Sequence, residues 1–115
     1  MKIAEQKIKI KPLSVNEAYK GRRFKTKKYK EYEQNLVSFL IKKNIDKIDK
    51  NQKLKVFFEF GFSSKQADYD NPIKAFQDIL QRTLNFNDSM IYAAFIKKTM
   101  VKKGDEFVYF KLEKL

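Results

Sequence analysis

A strictly alternating run of apolar side chains between Leu54 and Phe62 is the feature that most limits how this chain can fold. Leucine, valine and three phenylalanines occupy every second position of the run. Successive side chains of a β-strand point to opposite faces of a sheet, so this spacing predicts a strand with one face in a hydrophobic core. It is the strongest strand pattern in the chain.

The residues before this strand predict a shorter strand and a helix. Isoleucines alternate with lysines over residues 7–11, which predicts a first strand, and residues 12–23 contain the proline, serine, asparagine and glycine typical of a loop. Thr26 is the expected N-cap of a helix in which apolar residues recur at three- and four-residue steps. This helix is expected to end near Asn44.

A second helix is expected after the alternating strand. The polar residues 63–69 break the strand pattern, and Asn71 then offers a good N-cap with Pro72 at the first helical position. Apolar residues from Ile73 to Leu84 continue as a helical stripe.

Two more strands are expected after this helix. Residues 90–101 read as a strand, which a turn over residues 102–105 joins to a last strand over residues 106–112. The predicted order is β-α-β-α-β-β. The predicted fold class is therefore α/β, a single compact domain over residues 1–115 with a mixed sheet.

The chain contains neither cysteine nor histidine, which excludes whole classes of function. Without cysteine there is no disulfide, thiolate metal site or thiol nucleophile. Without histidine there is no Ser-His-Asp triad, zinc deaminase site or histidine-dependent nuclease. An enzyme built from this chain must use carboxylates, lysine, arginine, tyrosine or hydroxyl groups. A metal in it would be held by oxygen ligands, which points to Mg²⁺ or Mn²⁺.

The chain is strongly basic, with 26 Lys and Arg against 14 Asp and Glu and a formal net charge of +12. This excess in a short chain favours a polyanionic partner such as nucleic acid, although a merely soluble basic protein has the same composition. The first residues lack an apolar signal core, and no apolar run is long enough to cross a bilayer. We therefore expect an intracellular protein.

Basic residues are densest between residues 20 and 30, where Tyr19, Phe24 and Tyr29 are interleaved with them. A loop of this composition that leads into a helix can follow a phosphate backbone while an aromatic ring stacks nearby. The alternative is a solvated basic helix face with the tyrosines in the core. The expected DNA contacts are Lys20, Arg22, Arg23, Lys25, Lys27 and Lys28.

An acidic cluster interrupts the basic chain between residues 68 and 88. This segment contains only two basic residues, Lys74 and Arg82. It contains four aspartates, Asp68, Asp70, Asp78 and Asp88. Negative charges beside a DNA-binding surface weaken binding unless a cation offsets them. The cluster is therefore a candidate metal site.

The spacing of these residues suggests how such a site forms. Asp68 and Asp70 are expected to point to one side of an extended stretch, and Lys74 is expected to reach back toward Asp70 from the first helical turn. Asp88 joins them only if the next strand folds back along a helix of about 20 Å. Three carboxylates can hold one or two divalent ions beside a scissile phosphate, with the lysine adding positive charge at the transition state.

Ordinary structural roles explain the same residues. Aspartate and asparagine commonly cap helices and fill turns. Asp78 can pair with Lys74 or Arg82 across one helical turn. From spacing alone, a non-catalytic module that binds nucleic acid through its basic residues remains open.

A family resemblance favours the catalytic interpretation. Residues 68–78 read Asp-Tyr-Asp-Asn-Pro-Ile-Lys-Ala-Phe-Gln-Asp and are followed by Asn-Asp-Ser at 87–89. This pattern resembles the central motif of the RusA-type Holliday junction resolvases, an Asp-x-Asp-Asn-x-x-Lys stretch followed by a second acidic site. The Pro-Leu-Ser-Val-Asn of residues 12–16, the arginine pair at 22–23 and the tyrosine-containing helix also look like that family. The resemblance covers most of the chain.

The resemblance implies a Mg²⁺-dependent endodeoxyribonuclease, with Mn²⁺ as an alternative ion, that resolves four-way DNA junctions by paired symmetric nicks in recombination and repair. It implies a homodimer in the cytoplasm of a bacterial cell or a phage-infected host. It adds Asn16 to the expected DNA contacts. The implied catalytic residues are Asp68, Asp70, Lys74 and Asp88, with the three aspartates as metal ligands. The expected supporting residues are Asn71, Asp78 and Asn87.

One position departs from the family pattern. The family often has two adjacent acids where this chain has Asn87 and Asp88. Asp88 matches the second acid, while Asn87 can offer only a neutral oxygen. A carboxylate nuclease that acts on flaps or forks is therefore a further alternative.

A dimer suits a four-way junction because both have twofold symmetry, so that two identical sites can make two symmetric cuts. Phe57, Phe95 and Phe107 are candidates for apolar surface between two copies. Ordinary core packing would explain the same three residues.

Overall fold

The computed structural model describes residues 2–21, 24–40 and 48–115. Within these residues a four-stranded sheet carries two main helices on one face. No helix in the described ranges is both long and apolar enough to span a membrane. The elements are β1 (Lys2–Ile8), α1 (Val15–Ala18), β2 (Tyr19–Lys20), β3 (Phe24–Lys25), α2 (Lys27–Phe39), β4 (Leu54–Phe62), α3 (Ile73–Leu84), a 3₁₀ turn (Asp88–Met90), β5 (Ile91–Met100) and β6 (Phe107–Lys114).

The main sheet is mixed, as predicted, with the strand order β1-β6-β4-β5. β4 runs parallel to β5, and β6 runs antiparallel to both β1 and β4. The expected direct connection of β5 to β6 as neighbouring strands is wrong, because β4 lies between them. β6 takes this interior position because Val108, Phe110 and Leu112 are buried there, which an outer strand would not achieve.

The alternating run forms β4, as the sequence predicts. Leu54, Val56, Phe58 and Phe60 are at most 2% exposed and point toward the helices. The Phe76 ring of α3 packs 5.2 Å from the ring of Phe58 and 5.5 Å from that of Phe60, centroid to centroid. These contacts fix α3 against β4, so that the residues on either side of α3 lie at opposite ends of the sheet.

The helices begin close to their expected positions. Thr26 is the N-cap of α2, as predicted, and its hydroxyl accepts the Tyr29 backbone N–H at 3.2 Å. α2 ends at Phe39, earlier than expected, and Asn44 lies outside the described residues. α3 begins at Ile73 rather than at Pro72.

The short elements and the bounds of the first strand escape the sequence patterns. β1 covers residues 2–8 rather than 7–11, because pairing with β6 sets its extent. The expected loop over residues 12–23 contains α1 and β2, and β2 pairs with β3 in a small hairpin. Elements of two to four residues are too short to show a hydrophobic period.

Candidate functional site

The first two aspartates of the acidic cluster lie in a turn between β4 and α3. Asp68 and Asp70 are both exposed, and the backbone N–H of Asn71 donates to the Asp68 carbonyl at 3.4 Å. The expected extended stretch is therefore wrong. The backbone hydrogen bonds of this turn replace strand geometry, so alternation cannot be used to place the two carboxylates.

Asn71 has a different role from the one expected. It does not cap α3, whose N-cap position is Pro72 without a side-chain hydrogen bond. Its side-chain amide donates to Oδ2 of Asp68 at 3.3 Å. Asn71 therefore orients the Asp68 carboxylate and leaves Oδ1 of that carboxylate without a protein donor among the described residues.

Lys98 of β5 anchors the loop that carries these aspartates. Its Nζ donates to the carbonyl of Lys65 at 3.0 Å and to that of Ala67 at 2.5 Å. Lys98 pairs with Phe60 near the carboxyl ends of β4 and β5. Asp68 therefore lies at this end of the sheet, close to the outer strand. No sequence pattern predicts this contact, because the bonded residues are 31 and 33 positions apart.

Lys74 lies on the first turn of α3, as expected, but its ammonium group faces an aromatic ring. Nζ of Lys74 is 4.4 Å from the centroid of the Tyr19 ring. None of the ion pairs in the described ranges joins Lys74 to Asp70, so the expected reach toward that carboxylate is not seen.

Asp78 binds Tyr19 rather than a basic residue of its own helix. The Tyr19 hydroxyl donates to Oδ2 of Asp78 at 2.6 Å. Arg82 instead pairs with Glu33 and donates to the Tyr29 hydroxyl at 2.7 Å. The expected pairing of Asp78 across a helical turn is therefore wrong. Burial, together with the hydrogen bond to Asp78, raises the pKa of Tyr19.

The N-terminal segment that contributed to the resemblance lies against this turn. The backbone N–H of Val15 donates to the Asn71 carbonyl at 2.9 Å. The Ser14 hydroxyl caps α1, and Asn16 is exposed on that helix. Asn16 is therefore placed close to the Asp68 turn, although the two segments are more than fifty positions apart in the sequence.

The expected DNA-binding residues that the structure describes lie on the small hairpin and the start of α2. Lys28 pairs with Glu17 at 3.2 Å, and Lys27 pairs with Glu31 at 3.9 Å. Lys25 lies 5.0 Å from the centroid of the Tyr29 ring. Lys20 is exposed. The remaining two, Arg22 and Arg23, lie outside the described residues.

Asp88 lies at the other end of the sheet. It opens the 3₁₀ turn before β5, where Asn87 Oδ1 accepts the Ser89 backbone N–H at 3.0 Å. β5 starts beside Leu54 and ends beside Phe62, so its start is separated from the Asp68 turn by the length of α3, about 18 Å.

The expected cluster of three aspartates therefore does not form within one copy. In the described part of the chain no group of three acidic, histidine or cysteine side chains is close enough to hold a metal ion. One copy gathers Asp68, Asp70, Asn71 and Lys74 at one end of the sheet and leaves Asp88 at the other. The exposed carboxylates are nevertheless the oxygen donors that Mg²⁺ prefers, and Mg²⁺ commonly uses one or two of them with water.

Comparison with known proteins identifies the family. No curated protein gives a significant match to the chain. The model of the family described as Endodeoxyribonuclease RusA matches residues 9–108, which include the Asp68 turn, Lys74 and Asp88. The chain therefore belongs to the RusA family of endodeoxyribonucleases, nucleases that act on Holliday junctions.

Proposed function

We propose that this protein is a Mg²⁺-dependent homodimeric endonuclease that resolves four-way DNA junctions by paired symmetric nicks, in the cytoplasm. The main support for this proposal is the match to the family model. Within the matched segment, Asp68, Asp70 and Lys74 lie at one end of a basic molecule. Asn16 and the basic hairpin lie at the same end.

Asp68 and Asp70 are the proposed metal ligands in each copy, with Mg²⁺ as the ion and Mn²⁺ as the alternative. A bound divalent ion supplies a more acidic water and neutralises charge on the attacking and leaving oxygens. Asn71 holds the Asp68 carboxylate in one orientation. Lys74 adds positive charge where the phosphate becomes more negative in the transition state.

Two copies are proposed to join through β5. This strand lies at the edge of the sheet, and β4 is its one partner among the described strands. Its residues carry no charge before Lys97, and Phe95 is 57% exposed. A long edge strand with few charges is a template for pairing with another strand. Of the other apolar candidates for this surface, Phe57 packs against Phe95, while Phe107 is buried.

Antiparallel pairing of two β5 strands lays the start of each beside the end of the other. Asp88 of the partner subunit then approaches the Asp68 turn, because Lys98 ties that turn to the end of β5. Opposite charges favour this direction, since Lys97 and Lys98 lie at the end of the strand and Asp88 lies before its start. The pairing completes two three-aspartate sites related by a twofold axis.

The test of the function is cleavage of a labelled synthetic four-way junction, with matched linear duplex and flap substrates, in Mg²⁺ or in chelator. We expect symmetric nicks confined to the junction that disappear with chelator. Asp70→Asn should lower the cleavage rate by at least about a hundredfold while junction binding is kept, because a ligand is lost and a negative charge near phosphate is removed. Glu31→Gln removes one carboxylate from the exposed face of α2 and should cut normally.

Three outcomes would contradict the proposal. Cleavage mainly of flaps would assign the protein to a different substrate. Tight junction binding without cleavage in either ion would leave a binding module. Normal cleavage by Asp70→Asn would show that the metal-site assignment is wrong.

A further inference from the structure

The ammonium group of Lys74 lies over the face of the Tyr19 ring. The hydroxyl of Tyr19 is bonded to Asp78 of α3, 59 positions further along the chain. The separation between Nζ and the ring centroid is 4.4 Å, within the range in which the negative face of an aromatic ring attracts a cation. Across the described residues no carboxylate lies within ion-pair distance of Lys74. The ring is therefore the contact that directs this otherwise exposed side chain.

Tyr19 is itself held from two sides. Its hydroxyl donates to Oδ2 of Asp78, one turn further along α3 from Lys74. Its ring packs against the ring of Tyr29, with centroids 5.4 Å apart and planes tilted by 54°. Burial and the Asp78 carboxylate raise the pKa of Tyr19, so the hydroxyl stays protonated and keeps donating at neutral and mildly alkaline pH.

The second ring is fixed in the same way and carries a cation of its own. The Tyr29 hydroxyl accepts from Arg82 at 2.7 Å, so both tyrosine hydroxyls are tied to α3. Lys25 of the small hairpin lies 5.0 Å from the centroid of the Tyr29 ring. The two packed rings therefore join a lysine of the small hairpin to Lys74.

We infer that Tyr19 is a positioning residue for Lys74, holding the ammonium group by its ring face while Asp78 fixes the ring. The inference rests on the proposed role of Lys74 in the nuclease reaction. Asp78, which the sequence analysis linked to basic residues of its own helix, acts in this arrangement through Tyr19. A side chain as flexible as lysine gains most from such a contact, because fewer of its rotamers must be given up in the transition state.

The position of Lys74 can be measured without any DNA cleavage. Protons above the face of an aromatic ring resonate upfield, so the ε-methylene protons of Lys74 should be shifted upfield in the NMR spectrum of the wild-type protein. The signal is assigned by its loss in Lys74→Arg. Tyr19→Phe should reduce the shift without removing it, because the ring loses its bond to Asp78 but still packs against Tyr29, and Tyr19→Leu should abolish it. Tyr92→Leu is the matched control. The Tyr92 ring lies on β5 and also has a lysine ammonium group over it, that of Lys53 at 5.1 Å from the ring centroid.

Cleavage kinetics then measure the consequence. With saturating enzyme, Tyr19→Leu should lower the single-turnover nicking rate about tenfold or more, since misplacing a reacting group by ~1 Å can cost about a hundredfold. Its junction Kd should change less than about twofold, because Lys74 adds one phosphate contact at most. Tyr19→Phe should restore the rate to within a few fold of wild type, which a purely structural need for the hydroxyl would not allow.

The outcomes separate this inference from the proposed function. An unshifted Lys74 signal in the folded wild-type protein overturns the positioning role, and this measurement stands even if Tyr19→Leu does not fold. Equal nicking rates of Tyr19→Leu and wild type overturn it as well. Normal nicking by Lys74→Ala, with the upfield shift present in wild type, would instead contradict the proposed function of Lys74.

Discussion

A single glycine in the interior strand β4 lies directly against an aromatic ring on the open face of the sheet. Gly61 of β4 pairs with Phe107 of β6, and any side chain at Gly61 would collide with the Phe107 ring. The backbone of Gly61 is ordinary strand, so glycine is required there for space rather than for a special conformation. Lys7 covers the outer side of the Phe107 ring at 4.2 Å.

We expect Gly61→Ala to lower the free energy of unfolding by about 1–3 kcal/mol, because the ring must move out of its packed position. Denaturant unfolding followed by circular dichroism measures the change. Adding Phe107→Leu to Gly61→Ala should recover part of the loss, since the smaller side chain leaves room for a methyl group. A Gly61→Ala variant as stable as the wild type would show that the contact is not tight.

At the residue scale, the sequence points to candidate side chains but does not show what they contact. The motif of Asp68, Asp70 and Lys74 is readable because its members are close in sequence. The contacts of Tyr19 and Lys98 cannot be predicted from the sequence, because each joins residues that only the folded chain brings near. Asn71 was assigned to the helix cap, whereas its amide binds the Asp68 carboxylate.

At the scale of elements, the Lys98 side chain ties the loop between β4 and α3 to the outer strand. Lys98 is the described residue whose ammonium group bonds two carbonyls of this loop, those of Lys65 and Ala67. The bond of Ser63 to Glu106 and that of the Val15 backbone N–H to the Asn71 carbonyl hold the two ends of the loop, and Lys98 holds its middle, beside Asp68. The position of the proposed metal ligands therefore depends on β5.

Lys98→Met should raise the Mg²⁺ concentration for half-maximal nicking about tenfold or more, because groups that orient metal ligands commonly contribute that much to affinity. Methionine keeps most of the aliphatic stem but cannot donate. Lys102→Met removes the same charge from an exposed position in the turn after β5 and should leave the midpoint nearly unchanged. A magnesium titration of both variants makes the comparison, and equal midpoints would contradict the anchoring role.

The sequence predicts the long elements well and their neighbours poorly. β4 and α3 follow from a period of two or of three to four residues sustained over at least nine positions, whereas β5 is predicted as a strand without a clear alternation. The hairpin of β2 and β3 is too short to show a period. The interior position of β6 cannot be predicted from a local pattern, because such a pattern does not show that β4 lies between β5 and β6.

At the scale of the whole molecule, the proposed site belongs to two copies rather than one. The parallel arrangement of β4 and β5 places Asp88 at the opposite end of the sheet from Asp68 and Asp70. No sequence pattern predicts this separation, because it follows from the connection through α3 that makes β4 and β5 parallel. The proposed pairing of two β5 strands would bring together three aspartates that the fold keeps apart in one copy.

Mixing two inactive variants tests this arrangement directly. Asp70→Asn and Asp88→Asn each disable both sites of a homodimer. A mixed dimer contains one site that carries both substitutions and one that carries neither, so refolding an equimolar mixture should restore about a quarter of the wild-type sites. Single nicks should accumulate instead of resolved duplexes. Junction assays with strand-specific labels measure both quantities.

The matched control mixes Asp70→Asn with Asp68→Asn, which lie on the same side of the proposed site. Neither site of that mixed dimer is intact, so no activity should return. A mixture of Asp70→Asn and Asp88→Asn that stays inactive, although co-purification of differently tagged copies shows exchange of subunits, would contradict a site shared between copies.

The lysines near the end of β5 also restrict how copies of this protein can aggregate. A bare strand edge is the usual starting point for fibrils, in which identical segments stack in register and in the same direction. Such stacking would place Lys97 next to Lys97 and Lys98 next to Lys98 in every layer of the fibril. The electrostatic repulsion between these lysines would grow with each added molecule. The β5 edge that is proposed to pair with one antiparallel copy therefore opposes the growth of a parallel fibril.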